Sequence, residues 1–206
     1  MTQVIADITM TLDGFVAGPD DGVEKPLGEG GERIHQWLYD SASWRELHGR
    51  AGGEARSDGA LVEESFERTG ALVMGKRMFE NGDGPNGWGD DPPFHKPVFV
   101  LTHEARKPKV QEDMTFTFVT DGIESALEQA RAAAGDKDVA VAGGANAIQQ
   151  FIKAGLLEEL QVHVAHVLLG DGIPLFGRLG PEQIELEATR VMDAPGVTHL
   201  QFRLPT

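Results

Sequence analysis

With 206 residues, 40% of them apolar and 25% charged, the chain is long enough to bury one full core. It has no cysteine, which excludes disulfides and thiolate metal sites and agrees with a reducing, cytoplasmic setting. A formal net charge of −15 argues against a nucleic-acid backbone as partner, yet local backbone dipoles can still hold a small phosphorylated ligand. The start, MTQVIADITM, has no basic region followed by a long apolar run, so no signal peptide is expected. No stretch of about 18 apolar residues predicts a membrane span.

Residues 4–10 alternate weakly and are partly β-branched, predicting a strand that enters the turn Leu12-Asp13-Gly14. Residues 15–17 continue briefly before the turn formers Gly18-Pro19-Asp20-Asp21-Gly22. A long excursion over about 19–58 is rich in glycine and charge but carries Ile34, Trp37, Leu38, Trp44 and Leu47. That pattern predicts one short helix in a lid or partner-facing segment rather than core. Residues 61–68 predict a helix, 71–74 a short buried strand ending at Gly75, and a second helix begins near Arg77. Residues 81–97 read as a loop containing Trp88 and Phe94, and 98–102 as a strand covered on both faces. A strand over 115–120 precedes a helix over 123–134, capped by Asp121 and ended by Gly135. A strand over 139–142 leads into a helix over 146–154, with Gly155 just past its end. A long strand over 160–168, the turn Gly170-Asp171-Gly172 and an antiparallel pair over 184–191 and 197–204 complete the chain. Strands alternating with helices, then strands alone, predict a single α/β domain over 1–206 with a mixed sheet.

The segment from Gly70 to Lys76 has the glycine and lysine spacing of a P-loop. Its intervening residues are an apolar strand, however, and Arg77 stands where a Mg²⁺-binding Ser or Thr is needed, so a nucleoside triphosphatase is excluded. Lys76 and Arg77 in a first helical turn oppose the helix dipole at a cost of a few tenths of a kcal/mol. Either a facing anion or simple surface charge accounts for them. Gly143-Gly144 forms a similar corner, where glycine lets a ligand approach the backbone and the N–H groups of Ala145, Asn146 and Ala147 could meet a phosphate. A tight corner without a ligand explains that motif alone. Two such corners on parallel neighbouring strands would flank one crevice suited to a dinucleotide.

No metal site is expected, because His163 and His166 fall on opposite faces of a strand and His95 and His103 lie on loops without ligand-spaced carboxylates. The Gly-x-Ser-x-Gly elbow of a hydrolase is absent. Trp37, Trp44, Trp88 and Phe94 sit in Gly-rich or charged surroundings, where aromatics wall a flat ligand, anchor a dimer or plug a core.

Several short motifs run in order along nearly the whole chain: TLDGFVAG over 11–18, ALVMGKR over 71–77, VFVLT over 98–102, VAVAGGA over 139–145 and VLLGDGIPLF over 167–176. In combination they resemble the RibD C-terminal/dihydrofolate reductase-like family, in its stand-alone bacterial form. The resemblance implies a three-layer dihydrofolate reductase-like fold with a mostly parallel sheet and an antiparallel C-terminal strand. It implies NADPH as hydride donor, with Gly75, Lys76, Arg77, Thr102 and His103 on the adenosine 2′-phosphate side. Gly143, Gly144, Ala145, Asn146, Ala147 and Ile148 would cradle the pyrophosphate, and Asp13, Val16 and Ala17 would lie along the nicotinamide. Asp7, Trp37, Trp88 and Phe94 are expected to face substrate, and the 160–169 strand to help form a homodimer.

Departures from the family pattern narrow the chemistry. The dihydrofolate reductase carboxylate position falls on Gly59, leaving Asp58 and Glu63 nearby as candidate proton donors. The fused zinc deaminase of riboflavin enzymes needs cysteines that this chain lacks. The Ser-x-Trp-Ile-Thr substrate segment is missing, and His166 stands where proline is usual. The resulting expectation is an NADPH-dependent reductase of a small heterocycle, resembling 5-amino-6-(5-phosphoribosylamino)uracil reductase or dihydrofolate reductase. The alternative is an NADP(H)- or flavin-binding protein without turnover.

Overall fold

The structure is a computed structural model that describes residues 2–89 and 92–205. In chain order its strands are β1 (Val4–Thr11), β2 (Phe15–Ala17), β3 (Thr69–Gly75), β4 (Val98–Leu101), β5 (Lys109–Gln111), β6 (Met114–Val119), β7 (Asp138–Gly143), β8 (Glu159–Ala165), β9 (Ile173–Pro174), β10 (Glu187–Ala194) and β11 (Val197–Arg203). The helices are α1 (Gln36–Tyr39), α2 (Ala42–Leu47), α3 (Gly59–Arg68), α4 (Lys76–Gly82), α5 (Ile123–Ala134) and α6 (Ala145–Lys153). A nine-stranded sheet runs β10-β11-β8-β1-β7-β3-β4-β6-β5, and β2 pairs with β9 beside it. From β8 to β6 neighbours are parallel, while β11, β10 and β5 join antiparallel.

The apolar runs of β1, β3 and β7 bury both faces of the sheet, as period-two side-chain alternation requires of a covered parallel strand. Val4, Ala6, Ala71, Val73, Val139 and Val141 join the core beneath α5 and α6. Ile5, Leu72, Met74 and Ala140 point the other way, into a core completed by Phe79 of α4, Trp88 and Phe94. Helix α6 places Ala145, Ile148, Phe151 and Ile152 on its buried face. Each of the large ones contributes about 1.5–3 kcal/mol by leaving water.

The excursion departs from the expectation of one helix in a lid. It holds a 3-10 turn over Gly31–His35 followed by α1 and α2, and Ile34 and Trp37 are buried. Trp37 packs with Val62 of α3 and with Ala194 and Val197 at the β10–β11 turn. The chain folds back on itself at Gly28, which has φ 70° and where a Cβ would lie 2.3 Å from the Gly18 carbonyl oxygen. Other differences are local. Helix α5 starts from Gly122 without a side-chain cap, because Asp121 sits one residue too early and instead accepts a bond from the Thr120 hydroxyl. Strand β8 ends at Ala165, where Val167 turns back and donates to the Ala165 carbonyl at 2.7 Å. His166 therefore lies beyond the strand, half-exposed against the Thr198 hydroxyl. The two- and three-residue strands β9 and β5 are too short to leave a periodic signal.

Candidate active site

A cleft of about 1670 Å³ opens at the carboxyl ends of β1, β3, β4 and β7, walled on its far side by the excursion and α3. This is larger than the roughly 300–1,000 Å³ of a typical small-ligand pocket, so two ligands can lie side by side.

At one end the two glycine corners meet. Met74 of β3 is in register with Gly143 of β7, and a Cβ on Gly75 would lie 3.9 Å from the Gly143 oxygen and the Gly144 nitrogen. Gly143 has φ 127°, which favours glycine, and its peptide to Gly144 is cis. A Cβ on Gly144 would meet nothing within 4 Å, so this backbone faces open cleft. Ala145, Asn146 and Ala147 line the cleft, but the Ala147 N–H is turned back onto the Gly144 oxygen at 3.0 Å. The Ala145 and Asn146 N–H groups come too early in α6 for a partner within the helix. Ile148 is fully buried and lines no part of the cleft among the described residues.

Lys76, Arg77, Thr102 and His103 also line this end. Both cations are already engaged: Lys76 donates to Glu104 at 2.6 Å, and Arg77 Nε donates to Asp21 at 2.7 Å. Lys76 and Arg106 hold the Glu104 carboxyl down at about 2. Val16 and Ala17 border the cleft, whereas Asp13 turns away to accept the N–H groups of Leu169 and Gly170 at 3.0 and 2.7 Å. Those bonds, with the Thr11 hydroxyl foremost, keep the Asp13 carboxyl below its ordinary value. Asp13 thus ties the Leu12-Asp13-Gly14 turn to the chain after β8.

The other end is aromatic and acidic. Asp7, Trp37, Trp88 and Phe94 all line it, together with Ser65, Phe66 and Lys96. Trp88 stands edge-on to Phe94, 4.9 Å between centroids, and lies close against Gly82, so it is half core and half wall. Asp58 and Glu63 are not brought here. Asp58 is buried away from the cleft against Arg56, at 2.9 and 2.8 Å, and exposed Glu63 accepts the Ser43 hydroxyl.

Asp58 nevertheless connects to the cleft through two histidines. Its Oδ2 lies 3.1 Å from His199 Nε2, His199 Nδ1 lies 2.6 Å from His163 Nδ1, and His163 Nε2 lies 2.7 Å from Asp7 Oδ1. The Ser65 hydroxyl donates to the other Asp7 oxygen. Strand register makes this chain: His163 of β8 faces His199 of β11 directly, and it faces Thr9 of β1, two residues along from Asp7. Trp37 covers both imidazoles, at 4.9 and 5.1 Å between centroids. Burial pushes the Asp7 carboxyl up, but the His163 charge and the bonds from His163 and Ser65 outweigh it and leave Asp7 below its ordinary value. Burial raises Asp58 too, and is overcome by Arg56 and His199. His199 is pushed down by burial and by His163.

Against this geometry, a family model described as the RibD C-terminal domain matches residues 2–200. The chain belongs to the RibD C-terminal domain family. A relative from Bacillus subtilis, the uncharacterized protein YyaP, is 24% identical over 185 residues, covering 84% of this chain and 80% of its own. Among solved structures, a protein of Shewanella sp. PV-4 provisionally assigned to riboflavin biosynthesis aligns over 100% of both chains at 23% identity, with a TM-score of 0.67. A dihydrofolate reductase of Enterococcus faecalis complexed with NADP(H) aligns over 99% of this chain and 97% of its own at 14% identity, with a TM-score of 0.55. At these identities the likeness establishes the dihydrofolate reductase-like fold. No helix among the described residues is long and apolar enough to cross a membrane.

Within this RibD C-terminal domain, the sequence singles out both glycine corners and Asp7, which line the cleft, but not His199, Ser65 or the place of His163 beside Asp7. A signal existed. Gln161 and His163 alternate with apolar residues on one strand, and His199 and Gln201 do the same on another. Only the order β11-β8-β1 puts those polar positions beside each other and beside Asp7.

Proposed function

We propose that the protein is an NADPH-dependent reductase of a small, flat heterocycle, of the pyrimidine type reduced in riboflavin biosynthesis or of the pterin type. The observation that carries this reading is the single cleft with two glycine corners of adjacent parallel strands at one end and an aromatic-walled carboxylate at the other. The residues fit the dinucleotide: Gly75, Gly143 and Gly144 leave room for a pyrophosphate against backbone, and Lys76 and Arg77 supply cations for a further phosphate. Bound NADPH supplies hydride. The chain's own part is to orient the two ligands face to face, exclude water with Trp37, Trp88 and Phe94, and present Asp7 to the substrate heteroatom.

Asp7 replaces Asp58 and Glu63 as the group through which the substrate gains its proton in this reading, because it alone of the three lines the cleft. The reading retains the cytoplasmic setting and the homodimer implied by the family resemblance. Strand β8 has hydrogen-bonded neighbours on both edges, so a dimer contact must use side chains or another strand. Fluorescence and thermal-shift titration with NADPH and NADH tests the cofactor, and loss of absorbance at 340 nm against pyrimidines, pterins and flavins tests turnover. Binding without any oxidation would leave a dinucleotide-binding protein, and failure of both dinucleotides to bind below millimolar concentration removes the reading.

A further inference from the structure

The four side chains Asp7, His163, His199 and Asp58 are joined by three hydrogen bonds, and each bond needs one proton. Two lone pairs facing each other between the Nδ1 atoms at 2.6 Å would repel, and two N–H groups there would collide. Two neutral imidazoles supply only two of these protons. The third makes one imidazolium between two carboxylates, and the Arg56 guanidinium on Asp58 brings the buried set to neutrality. The groups facing this set are consistent with that count. Ser65 is uncharged. Burial and the His163 charge push His35 down to about 4, keeping it neutral, and Arg68 acts on Asp7 only electrostatically.

The set opens at one end. The side chains of Asp58, His199, Arg56 and His163 are 0, 2, 5 and 6% exposed, whereas Asp7 is 23% exposed and lines the cleft beside His163. We propose that Asp7, His163, His199 and Asp58 form a proton store that exchanges only through the cleft and delivers one proton through Asp7 to the bound substrate. The delivery step rests on the reductase reading; the store does not. When the substrate carbon accepts hydride from the bound dinucleotide, which is oxidised in exchange, its double bond to nitrogen or oxygen becomes single, and the His163 Nε2 proton passes through the Asp7 carboxylate to that heteroatom. Asp7 ends ionised as it began, with two protons left over the three hydrogen bonds. Solvent restores the third proton through Asp7 once the cleft empties. Asp7 is the catalytic group, and the two histidines and Asp58 are positioning residues that act through it. The substrate class follows: a heterocycle reduced across a C=N or C=O bond whose heteroatom lies against Asp7.

Nitrogen-15 NMR of the full chain labelled at histidine tests the store without any substrate. The expected result is a scalar coupling between the Nδ1 atoms of His163 and His199, with both Nε2 atoms protonated at neutral pH. Asp7→Asn should lower the pH at which the pair takes its third proton by more than one unit. Two uncoupled neutral rings, or a pair indifferent to Asp7→Asn, overturn the store. Delivery is read with the substrate found by NADPH oxidation. His199→Gln should lower kcat at least tenfold at pH 8, recover towards wild type near pH 5.5, and leave KM for NADPH unchanged. A pH-independent loss, or no loss, overturns delivery. Absence of any NADPH oxidation removes the reductase reading and the delivery step with it, while the NMR result still decides the store.

Discussion

At the glycine end of the cleft the chain presents mainly backbone, and its cations there are at least partly exposed and already paired: Lys76 with Glu104, Arg77 with the more enclosed Asp21. At the Asp7 end the working groups are side chains from β1, β8, β11 and α3: His163 and His199 are buried, and Asp7 and Ser65 are partly so. Exposed pairs are worth roughly 0–1 kcal/mol and exchange readily for a ligand phosphate. A buried pair broken by removing one partner costs about 3–5 kcal/mol, so its partners stay together. The first end is therefore suited to holding and releasing an anion, and the second to keeping a proton in a fixed place.

The largest test of that contrast is Asp7→Asn. A positioned acid contributes about 10²–10⁴-fold to rate, so turnover should fall by about that factor while NADPH affinity stays within about twofold. Loss of both together would mean that the two ends are not separable. A second test reads the buried end through stability. His35, held neutral down to about 4, has a folded value below its ordinary 6.5. As pH falls from 6.5 towards 4 the unfolded chain binds a proton that the folded chain refuses, so stability is lost across that window. One group contributes about 1.4 kcal/mol per pH unit, and with partial exposure a total of about 2 kcal/mol is expected. Urea denaturation at pH 7 and 4.5 should show His35→Gln losing that much less stability than wild type. Equal losses in both proteins would place the acid-sensitive group elsewhere.

How much of this was legible in the sequence follows the same division. Gly75 and Gly143-Gly144 are local signals: a strand, a glycine and a helix start lie within a few residues, so their meaning survives without the fold. The store joins residues 7, 58, 163 and 199, whose proximity depends on a strand order that no local pattern encodes. Asp58 stands out in sequence only for nearness to a family position, and in the structure it is hydrogen-bonded to His199, behind the His163 ring that lines the cleft. The excursion is illegible in the sequence for a related reason. Its burial comes from Trp37 meeting the β10–β11 turn more than 150 residues later, while its composition of glycine and charge suggested solvent.

At the glycine end, Gly144→Val fills space that no protein atom occupies within 4 Å. NADPH affinity should fall about 10-fold, or about 1.4 kcal/mol, with the melting temperature nearly unchanged. Unchanged affinity would show that the dinucleotide does not approach this backbone.

The smallest and most discriminating change is Glu104→Gln. Glu104 binds Lys76 at 2.6 Å and Arg106 at 2.9 Å, and its side chain is 57% exposed. A ligand phosphate at this corner must take those cations from a carboxylate, and an amide competes far less for them. Because exposed pairs of this kind are weak, NADPH binding should tighten by only about two- to fivefold. NADH, lacking the 2′-phosphate, should change little, and the gain should shrink as salt screens the site. Lys76→Ala and Arg77→Ala should act in the opposite direction, weakening NADPH more than NADH. Equal shifts for the two dinucleotides across all three variants would move the 2′-phosphate away from this corner. Weaker NADPH binding in Glu104→Gln alone would mean that Glu104 aims Lys76 and Arg106 at the phosphate instead of occupying them.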